Sequence, residues 1–210
     1  MQIKQFVFNG FAENTYILFD ESKKAIIVDP GCYGKEEEAQ LQLFVDENDL
    51  EVIKLLNTHC HIDHVLGNYF VKQTYNVPLV MHEIEVPYLE SVASYAGNYG
   101  FAQYSPTQAD RFIKEGDKIN FGDQELDILF TPGHSAGHVV FYHEQSKSLI
   151  GGDVLFRQSI GRTDLPGGNH QQLLDNIRDK LWPLPEDVTV FPGHGPQTTI
   201  GFEKKHNPFF

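Results

Sequence analysis

The chain is short of positive charge, of cysteine and of long apolar runs, and each shortage excludes a class of protein. Among its 210 residues, 16 Lys and Arg stand against 29 Asp and Glu, and this formal net charge of −13 repels the phosphates of nucleic acids. Two cysteines, Cys32 and Cys60, are too few for a disulfide framework. No segment reaches the roughly 20 apolar residues of a membrane span, and the N-terminus has no signal-peptide pattern. We therefore expect a cytoplasmic protein that binds neither nucleic acid nor membrane.

What the chain does contain is the composition of an ordinary globular domain. Hydrophobic residues make up 40% and charged residues 21% of it, and a chain of this length buries roughly 70% of its unfolded surface. β-branched and aromatic segments predict strands in the first 30 residues, and apolar residues at helical spacing predict helices over 35–49 and 169–181. Strands precede helices in both halves, so we predict the α/β class, with two mixed sheets and helices outside. Composition alone does not distinguish this arrangement from other α/β folds.

The strongest signal is a group of four metal-binding side chains within six residues, after an apolar strand and before a predicted helix. These are His59, His61, Asp63 and His64. Alternate side chains of an extended segment share one face, so the first three point the same way, and the turn into the helix brings the fourth beside them. Imidazole together with carboxylate suits zinc or another first-row metal. Ordinary surface histidines at a polar strand end are the alternative, but such a cluster is rare by chance.

Three later strands each end in a glycine-containing turn that carries one further candidate ligand. The ligands are His134 after the apolar run 126–130, Asp153 after 148–150 and His194 after 188–190. A single turn of this kind is usually only a turn, but ligand sites in α/β folds gather at strand ends. The total of seven ligands exceeds what one tetrahedral metal uses, and it indicates two metals that share a bridging group.

Together these residues resemble the metal-binding pattern of the metallo-β-lactamase superfamily over nearly the whole chain. The resemblance implies a four-layer αββα sandwich of two mixed β-sheets with outer helices and a metal site along one edge. It implies two divalent metal ions on two ligand sets, which are His59, His61 and His134 for one ion and Asp63, His64 and His194 for the other. Asp153 would bridge the ions beside a water, so Asp63 and Asp153 are the candidate catalytic carboxylates.

Within the superfamily, the chain is most similar to the glyoxalase II (hydroxyacylglutathione hydrolase) branch. The segments that carry this similarity are NTY at 14–16, TPGHSAGH at 131–138, GRTDLPGG at 161–168 and GHGP at 193–196. The flavodiiron branch has Glu where this chain has His61. The chain ends soon after His194, so we expect one domain over residues 1–210, without the helical C-terminal domain with which glyoxalase II proteins grip glutathione.

The resemblance predicts a metal-dependent hydrolase that cleaves small thioesters by attack of a metal-bound hydroxide. Two divalent cations, zinc first and iron or manganese as alternatives, lower the pKa of a shared water toward about 7. A thiolate, whose conjugate acid has a pKa near about 8.5, leaves without being protonated, so a small acyl-thiol is the expected substrate. An iron-dependent persulfide dioxygenase and a lactonase or other ester hydrolase are the alternatives on the same fold.

Four further residues are singled out by the sequence, and three of them have two interpretations. Arg162 lies in a glycine-rich loop and matches the geometry of a carboxylate, so it is a candidate substrate-binding residue, with an ion pair to Asp164 as the equal alternative. Asp29 is predicted to accept a hydrogen bond from a ligand histidine, with turn capping as the alternative. Cys60 alternates away from its histidine neighbours and is expected to pack inward. His138 is interpreted as a half-buried histidine, with a contact to a ligand as the alternative.

Overall fold

The computed structural model describes all residues of the chain, from Met1 to Phe210, and contains two six-stranded sheets. The first has the spatial order β1 (Gln2–Phe8), β2 (Glu13–Phe19), β3 (Lys24–Val28), β4 (Glu51–Leu56), β5 (Leu79–His82) and β6 (Arg111–Ile113). The second has the order β7 (Lys118–Phe121), β8 (Gln124–Phe130), β9 (Val139–His143), β10 (Ser148–Gly152), β13 (Thr189–Pro192) and β14 (Thr198–Thr199). A short hairpin consists of β11 (Leu155–Phe156) and β12 (Ser159–Ile160).

Both sheets are mixed, as predicted. In the first sheet β1, β2 and β3 pair antiparallel, whereas β3 pairs parallel with β4, and β4 with β5. In the second sheet β10 pairs antiparallel with β9 and parallel with β13. Parallel neighbours need a crossover connection, and the three connections contain α1 (Lys35–Glu47), α2 (Ile62–Val65), α3 (Asn68–Tyr75) and α5 (His170–Asn176). The other two helices are α4 (Val86–Tyr95), between β5 and β6, and α6 (Ile200–His206), after β14.

The chain divides into two compact units. The first unit is Met1–Phe112 with Asn120–Gln124, and the second is Ile113–Ile119 with Glu125–Phe210. In the first unit, side chains of α1, α3 and α4 pack with strand residues in one apolar core, for example Leu41, Val71 and Leu89 with Leu55. β3 is buried along most of its length, as expected for a strand with parallel pairing.

The second unit has a core of its own. Leu173 and Leu174 of α5 and Ile200 of α6 pack there with Val140 and Val190 of the sheet.

The helix predicted over 169–181 is α5, which the Asn169 side chain caps, followed by a π-helical turn over Ile177–Leu181. The widened turn changes the helix geometry without removing its apolar residues from the core, so the periodicity predicted the segment but not the change of pitch.

None of the helices combines the length and the apolar composition needed to cross a bilayer.

Candidate metal centre

In the first unit, the candidate ligands lie near the carboxyl ends of two neighbouring parallel strands, β3 and β4. Val28 at the end of β3 is the register partner of Leu56 at the end of β4. The chain therefore places Asp29 next to the segment that leads into the ligand motif, and Asp29 N donates to Leu56 O at 2.9 Å. Carboxyl ends of neighbouring parallel strands are where α/β sheets place polar groups.

Asp29 accepts hydrogen bonds on both of its carboxylate oxygens. Thr58 donates from its backbone N to Oδ1 at 2.7 Å and from its hydroxyl to Oδ2 at 2.6 Å. Nδ1 of His64 lies 3.2 Å from the same Oδ2. Ligand atoms of Asp29, His59 and His64 lie within 4.8 Å of one another, but the oxygens of Asp29 are committed to these partners. Asp29 therefore contacts and orients a candidate ligand histidine, and its role at a metal site stays a prediction.

These contacts fix which ring nitrogen of each histidine carries the proton. The hydroxyl hydrogen of Thr58 is donated to Asp29, so at 3.0 Å the hydroxyl accepts from Nδ1–H of His59. His64 likewise donates from Nδ1 to the carboxylate of Asp29. In both rings Nε2 then carries the lone pair with which a neutral imidazole binds a metal. Both side chains are fully buried, which restricts them to these orientations.

The other two candidates of the motif lie beside this buried pair. His61 precedes α2, and its ring centroid is 4.7 Å from that of His59 in an edge-on arrangement. Asp63 lies in the first turn of α2, and its Oδ2 is 3.6 Å from Nε2 of His64. The Asn9 side chain donates to the Asp63 carbonyl at 3.0 Å, so the turn between β1 and β2 holds α2 in place. The four residues that the sequence groups together are thus together in space.

In the second unit, the three turns bring their candidate ligands together, with two imidazoles beside one carboxylate. Oδ2 of Asp153 lies 3.4 Å from Nε2 of His134 and 3.6 Å from Nε2 of His194. His134 is almost fully buried, whereas the side chain of His194 is 27% exposed. A carboxylate between two imidazoles is the arrangement that the bridging interpretation of Asp153 requires, and it leaves the more exposed imidazole accessible to solvent.

The Arg162 main chain and side chain have separate partners. Its carbonyl accepts from Nδ1 of His134 at 2.7 Å, which leaves the lone pair of that ring on Nε2. Its guanidinium pairs with both oxygens of Asp164 at 2.7 Å and is 60% exposed. This ion pair, the alternative weighed for Arg162 from the sequence, holds the pKa of Asp164 at about 2, so Asp164 stays ionised at neutral pH.

The donor atoms fit a divalent cation. Two atoms bound to one tetrahedral zinc through bonds of about 2.0–2.1 Å lie roughly 3.3 Å apart. The separations of 3.4 to 3.6 Å between imidazole Nε2 and carboxylate oxygen, found in each unit, are close to this spacing. Nε2 of His64 and Nε2 of His134 each carry a lone pair, and each faces a carboxylate oxygen that also carries lone pairs. These lone pairs repel each other, and a cation bound by both atoms would relieve the repulsion. Imidazole and carboxylate are donors that suit zinc and iron alike.

Sequence reasoning missed several groups that are remote in sequence but form hydrogen bonds to the segments carrying the candidate ligands. Glu85 is fully buried and accepts from the backbone N of Cys60 at 2.7 Å. No motif marks Glu85 or Asn9, and a backbone carbonyl such as that of Arg162 has no sequence signature. Cys60 itself packs inward as expected, with its Sγ 3.7 Å from Sδ of Met81. Burial raises the pKa of the Cys60 thiol well above its ordinary value, so it remains a neutral core group.

We expect Asp29→Asn to weaken metal binding about 10- to 100-fold, the usual effect of losing an outer-shell partner of a ligand histidine. The side-chain amide introduced by this substitution would offer a donor to Nδ1–H of His64, and the ring would lose its fixed tautomer. Affinity for zinc is measured by competition with a chromophoric chelator. Asp20→Asn is the matched control, since Asp20 is also buried but accepts from Ser22 and Asp123. Equal affinities of both variants and the wild type would contradict the role of Asp29.

Comparison with known proteins identifies the family of the chain. The sequence pattern of the metallo-beta-lactamase superfamily matches residues 9–194. The chain is 37% identical over 211 residues to "Hydroxyacylglutathione hydrolase GloC" of Haemophilus influenzae, covering 100% of this chain and 98% of that protein. It is 36% identical to "Probable metallo-hydrolase YqgX" of Bacillus subtilis, covering 93% and 91% of the two chains.

Solved structures give the same result for the fold. "BLEG-1 B3 metallo-beta-lactamase" superposes with a TM-score of 0.89 at 37% identity, covering 99% of both chains. "TTHA1623 in a di-iron-bound form" superposes with a TM-score of 0.88 at 32% identity, covering 99% of this chain and 100% of that one. The predicted metallo-β-lactamase-like α/β fold is confirmed by these similarities. The chain belongs to the metallo-beta-lactamase superfamily, and it is a metallo-hydrolase of that superfamily.

Proposed function

We propose that this protein hydrolyses small thioesters, in the manner of a hydroxyacylglutathione hydrolase. The observation that carries the proposal is the 37% identity to a hydroxyacylglutathione hydrolase over the whole chain. The ligand geometry supports it, because imidazole and carboxylate donors lie at metal-ligand spacing in both units.

By the superfamily pattern, two divalent cations, zinc in the first instance, would be held by the two ligand sets His59, His61, His134 and Asp63, His64, His194. Asp153 would be their common ligand. When bound, such cations lower the pKa of a water toward about 7 and polarise a carbonyl. The contribution of the chain is to hold the ligands in the right protonation state: Asp29 does this for His64 and the Arg162 carbonyl does it for His134.

The leaving group explains why a thioester suits these residues. A thiolate departs unprotonated near neutral pH, since its conjugate acid has a pKa of about 8.5. No side chain then has to deliver a proton to the leaving atom. An amine leaving group would need such a proton donor, and the imidazoles fixed as Nδ1–H donate that hydrogen to Thr58, Asp29 and the Arg162 carbonyl. The site therefore favours thioester over amide cleavage.

A substrate panel tests the proposal. Zinc-loaded and iron-loaded protein is assayed with an acyl-glutathione, a second acyl-thiol, a lactone and a β-lactam, and thiol release or ring opening is followed by absorbance. We expect kcat/KM for a thioester to exceed that for the lactone and the β-lactam at least about 100-fold, a difference of roughly 2.7 kcal/mol in transition-state stabilisation. Preference for the lactone would replace the thioesterase proposal with lactonase activity. Comparing the two thiols tests whether glutathione is required.

The second candidate is an iron-dependent persulfide dioxygenase. A similar structure was solved with iron bound, and imidazole together with carboxylate is the ligand type that iron uses in oxygenases. Oxygen uptake by the iron-loaded protein on glutathione persulfide, without thioester turnover, would establish this activity and overturn the hydrolase proposal. Elemental analysis of protein grown without added metal shows which ion the chain selects.

Arg162 is the proposed anchor for an anionic substrate group. We expect Arg162→Ala to raise KM roughly two- to fivefold for a thioester with a carboxylate, the range of an exposed ion pair, and to leave KM for a neutral thioester unchanged. Asp164→Ala is the matched variant, since it releases the guanidinium from its present partner and should lower KM for the acidic ester. Equal effects of Arg162→Ala on both esters would remove the anchor role.

A further inference from the structure

His138 lies in the second unit and is interpreted from the sequence as half-buried. It is fully buried, so that interpretation is wrong, and the contact with a ligand, weighed as the alternative, is what the side chain makes. Nε2 of His138 lies 3.0 Å from the backbone N of Asp153 and accepts its hydrogen. The residue thus contacts the main chain of the carboxylate that is placed between His134 and His194.

This contact determines which nitrogen of the His138 ring carries the hydrogen. A backbone N–H can only donate, so Nε2 must present a lone pair and cannot carry a hydrogen. In the neutral ring the hydrogen is then on Nδ1, which faces the Thr131 hydroxyl at 3.5 Å. The main chain holds the ring in place as well, because Thr131 N donates to the His138 carbonyl at 2.8 Å.

The same residue closes the turn that carries a second ligand. The bond from Thr131 N to His138 O closes the segment 131–138, and His134 lies within that segment. The His138 side chain at the end of the turn then reaches the Asp153 amide. One residue therefore connects the turn of one ligand to the main chain of another, over 15 residues of sequence.

The main chain around Asp153 has little freedom apart from this bond. Gly152 before it has a φ of 45°, in the left-handed region, and its carbonyl accepts from Gly193 N at 2.7 Å. On the other side, a Cβ on Gly161 would lie 1.9 Å from the Asp153 carbonyl oxygen. The Asp153 amide that donates to His138 and the Gly152 carbonyl that accepts from Gly193 belong to the same peptide unit, so the two hydrogen bonds together restrict its rotation.

We propose that His138 is a positioning residue: by accepting the Asp153 amide hydrogen, it sets the direction in which the Asp153 carboxylate meets its imidazole partners. The inference rests on the proposed function, in that Asp153 is taken as a metal ligand. The role requires an acceptor at the position of Nε2 and does not require an imidazole.

Two substitutions that differ by one methylene separate this role from simple core packing. Gln can place its Oε1 near the position of Nε2 and accept from Asp153 N, whereas Asn is too short to reach it. We expect His138→Gln to bind zinc within about threefold of the wild type, and His138→Asn to bind it about 10- to 100-fold more weakly. Affinities are measured by chelator competition at a temperature at which circular dichroism shows every variant folded.

His143 supplies the matched control. It is also buried in the second unit, but its Nδ1 contacts the Ser146 hydroxyl instead of a predicted ligand. His143→Asn is expected to lower the melting temperature and leave zinc affinity unchanged. Equal zinc affinity of His138→Asn and the wild type would overturn the proposal. It would also be overturned by equal losses in His138→Gln and His138→Asn, because the acceptor position would then have no effect.

A measurement without metal keeps the two proposals distinguishable. In the apo protein, ¹⁵N NMR of His138 is expected to show a protonated Nδ1 and an unprotonated Nε2, and the Asp153 amide is expected to exchange slowly with solvent. Faster exchange in His138→Asn and retained protection in His138→Gln would support the positioning role even if zinc did not bind. The opposite tautomer would overturn it. Failure of the wild type to bind zinc or iron would instead overturn the proposed function.

Discussion

Replacing Asp153 by Ala is expected to remove metal binding and thioester turnover together. Its Oδ2 is within 3.4 Å of Nε2 of His134 and 3.6 Å of Nε2 of His194, so the substitution takes away the negative charge that lies between these two rings. Loss of an outer-shell partner costs about 10- to 100-fold in metal affinity or activity, and loss of a direct ligand should exceed the upper figure. Metal content after dialysis and turnover of the best thioester are measured on the same sample.

Asp175→Ala is the control for Asp153→Ala. Asp175 lies on α5 in the same unit, and its side chain is 53% exposed. Both variants lose one carboxylate, so a general effect of net charge would appear in both. Full metal content and full turnover in Asp153→Ala would show that the carboxylate does not bridge two ions, and the assignment of Asp153 would be wrong.

Gly161→Ala is expected to disturb two ligands through a single methyl group. A Cβ at this position would lie 1.9 Å from the Asp153 carbonyl oxygen and 3.0 Å from Nδ1 of His134. Overpacking of this kind costs about 1–3 kcal/mol, which corresponds to about 2–4 °C in melting temperature for each kcal/mol in a chain of this size. The same displacement would separate His134 from the Arg162 carbonyl, so we expect zinc affinity to fall at least about 10-fold.

Gly97→Ala is the control for Gly161→Ala. Nothing lies within 4 Å of a Cβ built on Gly97, and neither glycine has a φ in the left-handed region. The two substitutions therefore change backbone entropy in the same way and differ in the space that the methyl group meets. An unchanged melting temperature and zinc affinity in Gly161→Ala would show that the Asp153 peptide can move aside without loss.

The position of each candidate ligand at the end of its own strand could be predicted because it depends on local rules. Apolar runs mark strands, and glycine turns after them mark strand ends, so the sequence predicts His134 and Asp153 just past the ends of strands. His59 and His64 follow from the alternation of side chains and the turn into a helix. These rules act over fewer than ten residues. Within that range, the order of apolar, polar and glycine residues is enough to predict the local structure.

The supports of the ligands could not be predicted, because their partners are distant or belong to the main chain. Glu85 contacts Cys60 across 25 residues, and Asn9 contacts Asp63 across 54. Apolar periodicity identifies which residues are buried but not which strands pair. The short strands β11, β12 and β14 contain only two residues each, too few for any periodic signal. The full burial of His138 depends on the same long-range packing.

The main chain and the side chain of Arg162 have different partners, and this affects how the sequence of the protein can change in evolution. The carbonyl that orients His134 is present whatever side chain occupies the position, while the guanidinium projects into solvent toward Asp164. Evolution can therefore vary the side chain, and with it substrate preference, while the imidazole keeps its partner. A library randomised at this codon should yield variants with altered selectivity and intact metal content.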